Sequence, residues 1–234
     1  MELINIMENR INKVMVFAPH MDDEVIGCGG SILKHIGAGR EVVVVFFTDG
    51  SNLISDKKIA DMLKKNRKQE AEAVMSFLGI TAYYLDIPDR KLSYNTDILN
   101  RVIEILQKVQ PDVIYIPHQK EGDREHRLVS EIFNEAFWLA SETYQLISKK
   151  QMRTAKYILE YEVWEPIHNT NYYEDIEAFI DIKCEAIRMY NSQKNFFDYA
   201  FAIRGLNQYR GAISHLHYAE AFLIKKGNVE LFEK

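Results

Sequence analysis

His20, Asp22, Asp23 and Glu24 crowd into five residues directly after the apolar run Val14-Met15-Val16-Phe17. Adjacent carboxylates repel, and capping a following helix would use only one of them. A bound dication reverses the local cost of gathering three acids beside an imidazole. His20 and Asp23 are then its candidate ligands, one nitrogen and one oxygen. Asp22, next to a ligand but aimed elsewhere, is the candidate general base. Two ligands make a weak site, so a third must come from a distant stretch. The segment His118 to Arg127 is the second one rich in histidine and acid. His126, at the start of a helix, is the natural third ligand; His118, closer to a strand end, is its competitor or lines the cleft. Two histidines and one carboxylate leave open positions, as in catalytic zinc sites. Non-haem Fe(II) suits the same set, so the ligands alone leave the metal open. The chemistry implied is metal-assisted hydrolysis.

The elements that must position these residues alternate. Strands are expected over Val14–Pro19, Glu41–Thr48, Ala82–Leu85 and Val113–Ile116. Helices are expected over Glu24–Gly37, Asp56–Leu78, Asp97–Gln110 and Leu128–Ala140. Buried strands joined by helices imply an α/β, Rossmann-like parallel sheet with helices on both faces. In such a sheet ligands bind beyond the carboxyl ends of strands, where the strand order reverses. In a 3-2-1-4-5 order the first and fourth strands are neighbours, which selects the His20 and His126 loops. The rest of the chain is less regular. Ala155–Val163 and Phe179–Ile182 read as strands, and Lys183–Tyr190 and Phe196–Tyr209 as helices. We expect one domain over 1–234: a core of about 12–142 and a C-terminal lid and sheet extension, about 143–234, packed on it.

Hydrophobic residues make up 47% of the 234, enough for a sizeable core. A net charge of −5 argues against nucleic acid as the partner, since phosphate binding needs a basic face. Two cysteines, Cys28 and Cys184, cannot build a disulfide framework or a Cys-rich zinc motif, which suits a reducing compartment. No apolar stretch approaches the ~20 residues that span a bilayer. Met1-Glu2-Leu3-Ile4-Asn5 lacks a basic region leading into an apolar one, so a cytoplasmic location is expected. A nucleotide-binding Rossmann protein would need its glycines before the acids. Here Asp22, Asp23 and Glu24 precede Gly27-Cys28-Gly29-Gly30, which spoils a phosphate cradle.

Pro19-His20-Met21-Asp22-Asp23-Glu24 resembles the Ala-His-Pro-Asp-Asp-Glu motif of the LmbE-like, or PIG-L-type, metal-dependent N-deacetylases, with Met21 in place of proline. The similarity runs on through Phe47-Thr48-Asp49-Gly50 and Arg67-Lys68-Gln69-Glu70. It reaches the tail at Lys183, Tyr190-Asn191-Ser192-Gln193 and Tyr218-Ala219-Glu220-Ala221-Phe222. The resemblance implies zinc on His20, Asp23 and His126, Asp22 as base, and a cleft role for Arg67 against substrate or a ligand carboxylate. It implies hydrolysis of the acetamide of an N-acetylglucosamine-type conjugate to acetate and a free amino sugar. A non-catalytic metal- or sugar-binding protein on the same fold is the alternative, and a homo-oligomer is left open.

One position departs from the pattern. Many members carry His-Pro-Asp-His at the second motif, where the first histidine stabilises the oxyanion or protonates the amine. Here the segment is Asp123-Arg124-Glu125-His126. An ionised carboxylate cannot donate a hydrogen bond. Either Asp123 is protonated, or it only positions a ligand, or another group is the donor, with His215 the candidate. His215 and His217, two apart in an extended run, would share a face. His35 reads as structural or exposed, and His168 as a surface-loop residue. Of Tyr157, Tyr161, Trp164, Tyr172 and Tyr173, most are expected in packing, with a sugar-stacking rim as the other reading.

Overall fold

The computed structural model describes residues 11–51, 54–141, 152–193 and 197–227. A seven-stranded mixed sheet has the order β3-β2-β1-β4-β5-β7-β6. Its strands are β1 (Lys13–Ala18), β2 (Glu41–Thr48), β3 (Thr81–Ile87), β4 (Val113–Pro117), β5 (Tyr157–Tyr161), β6 (Tyr172–Asp175) and β7 (Ala219–Lys226). The first five are parallel, while β7 runs antiparallel to both β5 and β6. The 3-2-1-4-5 order expected from the βαβ spacing is therefore present, extended by β7 and β6.

Six α-helices cover the sheet among the described residues: α1 (Asp23–Gly37), α2 (Lys57–Leu78), α3 (Thr96–Val109), α4 (Arg124–Ser141), α5 (Ile180–Arg188) and α6 (Tyr199–Ile213). Successive strand residues point to opposite faces, and β1 shows the consequence. Val14, Val16 and Ala18 pack with apolar residues of α1, α2, α5 and α6. Met15 and Phe17 pack with α3 and α4 on the other face. Asp56 caps α2 by accepting from the Lys58 and Ile59 N–H groups, and Gly79 ends it in the left-handed region.

Two expectations for the tail are corrected. Phe179–Ile182 is not a strand: a 3₁₀ turn over Glu177–Phe179 runs into α5. Its buried residues Ile180, Lys183, Cys184 and Ile187 follow a helical period, which overrides the short alternation. His215 and His217 do not lie in an extended run. α6 continues to Ile213, and His215 turns the chain with φ 62 before β7 begins. Residues 1–5 and Phe196, the expected first residue of the last helix, lie outside the described residues. No helix among those described is long and apolar enough to cross a membrane.

Buried charge fastens the tail to α1. Glu220 on β7 accepts from Gly30 N (2.7 Å), Ser31 N (2.8 Å), Ser31 Oγ (2.6 Å) and the Lys183 ammonium (2.7 Å). Lys183 also donates to Asn207 Oδ1 on α6 at 2.9 Å. His35 on α1 is fully buried. Its Nδ1 accepts from Arg40 (2.8 Å), which leaves Nε2–H to donate to the Tyr115 hydroxyl (2.9 Å). Burial, helped by the charges of Arg40 and Lys34, holds its pKa well below 6.5.

Glu220→Ala should cost roughly 3–5 kcal/mol, because it leaves the Lys183 ammonium buried without its carboxylate; urea unfolding checks this. The unfolded chain protonates His35 near pH 6.5 while the folded chain does not. The folded state should therefore lose stability as pH falls below about 6.5, by up to about 1.4 kcal/mol per pH unit from this residue. In urea titrations His35→Gln, which keeps groups able to meet Arg40 and Tyr115, should flatten that slope.

Candidate metal centre

β1 and β4 lie side by side and end together, so the loops trailing them face one another. His20 stands in the first loop and Asp23 opens α1. His126 stands in the first turn of α4, which begins four residues earlier than its apolar periodicity suggests. His20 Nδ1 lies 3.1 Å from Asp23 Oδ2 and 3.2 Å from His126 Nε2, and the last two are 3.1 Å apart. Three lone-pair atoms thus form a nearly equilateral triangle. A tetrahedral zinc ~2.0–2.1 Å from each would set its ligands about 3.3 Å apart. The residues present fit a divalent cation with little adjustment.

The surroundings suit such an ion. Glu125 Oε2 lies 2.9 Å from His20 Nε2, so that nitrogen carries a proton and Nδ1 faces the triangle, where a bound cation would take the place of its proton. Burial opposes charge on this ring, yet Asp23 and Glu125 push its pKa up to about 10. Burial likewise opposes the Asp23 charge, but His126 and His20 hold that carboxyl well below the usual range. The pocket therefore stabilises positive charge where the triangle lies. On the far side of His126, Glu121 accepts from the N–H groups of Val163 (2.6 Å) and Trp164 (3.1 Å). Its Oε2 sits 3.6 Å from His126 Nδ1, too long for a hydrogen bond but the nearest acidic neighbour of a buried nitrogen without one.

Asp22 does not cap α1: its side chain makes no bond to the helix N–H groups. It turns instead to Arg67, whose Nη2 donates to Oδ2 at 3.2 Å and also to Met21 O. Asp22 holds φ 138, a conformation that costs an L-residue about 1–3 kcal/mol. Burial raises its pKa to about 6, with Arg67 opposing the rise. Gly50, at φ 75, lets Arg67 reach it, since a Cβ there would lie 2.7 Å from Arg67 Cβ and Cγ. Glu24 accepts from Tyr190 Oη (2.6 Å) and Asp22 N (3.1 Å), and burial lifts its pKa to about 8. It braces the loop from behind.

His20, Asp22 and Asp23 share a cleft of about 130 Å³ with Arg67, Asp89, Arg90, Asp123 and Trp164. Asp123 lies at its rim, bonded to Arg90 Nη1 (2.5 Å) and Glu125 N (2.7 Å). Although partial burial pushes the other way, Arg90 and the Glu125 N–H hold its pKa below the usual value. Asp123 is thus an ionised acceptor, not a protonated donor. His118 is not in this cleft. Its Nε2 donates to Glu165 O (2.7 Å), its Nδ1 accepts from Lys120 N (3.3 Å), and it lines a separate cavity with Glu160 and Ile167. His215 is exposed in its left-handed turn and is absent from the cleft wall, as is His217. Of the aromatics, Trp164 alone lines the cleft; Tyr157, Tyr161 and Tyr172 pack in the core.

Sequence reasoning missed Glu121, Asp89 and Arg90. Glu121 lies in the acid- and histidine-rich run that flagged His126, but its backbone partners come from a loop over 40 residues away. Asp89 and Arg90 follow β3 with no motif to mark them.

A family model described as "PIG-L: GlcNAc-PI de-N-acetylase" matches residues 15–137. Diacetylchitobiose deacetylase of Thermococcus kodakarensis is 27% identical over 236 residues, covering 96% of this chain and 87% of that protein. 4-Oxalmesaconate hydratase of Pseudomonas putida is 26% identical over 198 residues, covering 79% and 75%. The solved structure of N,N'-diacetylchitobiose deacetylase from Pyrococcus horikoshii superposes with a TM-score of 0.81 at 27% identity, covering 97% of this chain and 92% of that one.

Asp23→Asn should abolish stoichiometric zinc binding. Glu121→Gln should weaken it about 10–100-fold with the fold intact, as expected for an outer partner of a ligating histidine; competition against a chromophoric chelator reads both.

Proposed function

The chain belongs to the PIG-L family, and from that premise we propose that it is a zinc-dependent N-deacetylase acting on an N-acetylglucosamine-type conjugate. The observation that carries this reading is the 3.1–3.2 Å triangle of His20, Asp23 and His126 with Asp22 turned away from it into the same cleft. The names of the two diacetylchitobiose deacetylases support an acetylated amino sugar as the substrate class. Fe(II) would fit the same donors, and zinc is the proposed occupant.

Bound there, a divalent cation would polarise the acetamide carbonyl and acidify water. The chain's own residues do the rest. Asp22, held near neutrality by burial and by Arg67, accepts a proton from the attacking water at a carboxylate oxygen. It returns that proton to the leaving nitrogen, so one group serves as base and then acid. Trp164, 48% exposed at the cleft wall, offers an apolar face to the sugar.

Acetate release from a panel of N-acetylglucosamine conjugates, with added zinc, tests the reading. The wild type should release acetate, and Asp22→Asn should lose about 10²–10⁴-fold in kcat while retaining zinc. Zinc binding without acetate release from any acetamide would leave a binding protein. Turnover of 4-oxalmesaconate instead would favour hydratase chemistry, which the name of one relative brings into the panel.

A further inference from the structure

A tetrahedral adduct at an acetamide carbon puts full negative charge on one oxygen, and an enzyme gains most by aiming fixed donors at it. Most groups lining the cleft cannot serve. Asp22, Asp23, Asp89 and Asp123 are carboxylates, and His20 is committed to the triangle and to Glu125. Arg67 Nη2 is bonded to Met21 O and Asp22, and Nη1 is buried.

Arg90 differs. Its side chain is 47% exposed and lines the same cleft. Its Nη1 is clamped by Asp123 at 2.5 Å and lies 4.0 Å from Glu125 Oε2, the carboxylate that holds His20. The guanidinium thus stands one residue from the triangle, and its other N–H donors make no hydrogen bond among the described residues. The backbone is committed too: Arg90 sits at φ 63, and the neighbouring Asp89 pins the turn by accepting from Gly50 N at 2.8 Å. A left-handed conformation at an L-residue persists only where the surroundings enforce it.

We propose that Arg90 is a catalytic residue of this cleft, donating to the oxyanion of the tetrahedral adduct, with Asp123 as its positioning residue. This rests on the deacetylase reading. The water oxygen bonds to the acetamide carbon, the carbonyl π pair moves onto oxygen beside Arg90, and one water proton passes to Asp22. The pair then reforms the carbonyl as the C–N bond breaks, its electrons go to nitrogen, and nitrogen takes the proton from Asp22. The other water proton leaves with acetic acid, which ionises to acetate. A guanidinium never gives up its proton at working pH, so Arg90 stabilises charge without protonating the amine. It therefore adds no alkaline limb to the pH profile, as an imidazolium donor would.

Five variants test this: Arg90→Ala, Arg90→Lys, Arg90→His, Asp123→Ala, and Asp123→Ala combined with Arg90→Ala. Zinc content verifies that the centre survives. Arg90→Ala should lower kcat about 10²–10³-fold with little change in KM, and Arg90→Lys should recover part of it. Arg90→His should introduce an alkaline loss of kcat near the imidazole pKa. Asp123→Ala should lower kcat less, and the double variant should be no worse than Arg90→Ala, since both act through one group. A second readout is titration with 2-deoxy-2-(methylphosphonamido)-glucose, a tetrahedral anion. Arg90→Ala should weaken its binding at least tenfold while leaving the affinity of Asp22→Asn for the acetamide unchanged. An Arg90→Ala enzyme with unchanged kcat, or a loss confined to KM, overturns the assignment. A wild type that releases no acetate overturns the deacetylase reading instead.

Discussion

Like charge must be separated before this site can exist. Asp22, Asp23, Glu24, Glu121 and Glu125 are all buried around two imidazoles, and an isolated buried carboxylate is costly. The structure gives each carboxylate a partner, with His20 shared by Asp23 and Glu125. Asp23 meets both histidines, Glu125 meets His20 and Glu121 meets the N–H groups after β5. Asp22 meets Arg67 and Glu24 meets Tyr190. These partners come from both halves of the chain, so the cluster ties the C-terminal elements to the β1 loop.

That dependence explains the tail. Its late motifs share the family pattern, yet Lys183, Glu220 and Asn207 bond to one another, to Gly30 and Ser31 of α1 and to Ala219 O, away from the cleft wall. Tyr190 reaches the site through Glu24, which accepts from its hydroxyl, and through Arg67, whose guanidinium lies 5.5 Å from its ring. Tyr161 on β5 passes so close to α1 that a Cβ on Gly27 would lie 2.2 Å from its ring, and its hydroxyl donates to Phe17 O. What the tail contributes at the cleft is Trp164 and the N–H groups that hold Glu121.

The legible part of the fold was the part with strong period. β1, β2 and β4 are short apolar runs bounded by turn residues, and the helices between them show one apolar face, so strand order and the His20–His126 juxtaposition follow from topology. β6 and β7 were not legible: four residues of mixed polarity and a strand that alternates Glu220 with apolar neighbours read as motif or loop. The site divided along the same line. His20, Asp22 and Asp23 announce themselves by local crowding, whereas the Arg90–Asp123 pair spans 33 residues and exists only after folding. His215 shows that proximity to a motif in sequence is not proximity in space: a left-handed turn carries it to the surface, away from the cleft wall.

Asp22 and Asp23 are covalent neighbours with opposite environments, and the backbone between them makes that division. Two adjacent carboxylates in a continuous helix would diverge by only about 100° about its axis. At φ 138 Asp22 is thrown out of the helical path just as α1 begins, while Asp23 is already in its first turn. One carboxyl is thereby pulled down by two imidazoles and the other pushed up to about 6. A ligand must stay ionised, and a base must be able to gain and lose its proton near neutrality. On the proposed reading, the strain at a single residue lets the same chemical group, one peptide apart, serve as ligand and as base.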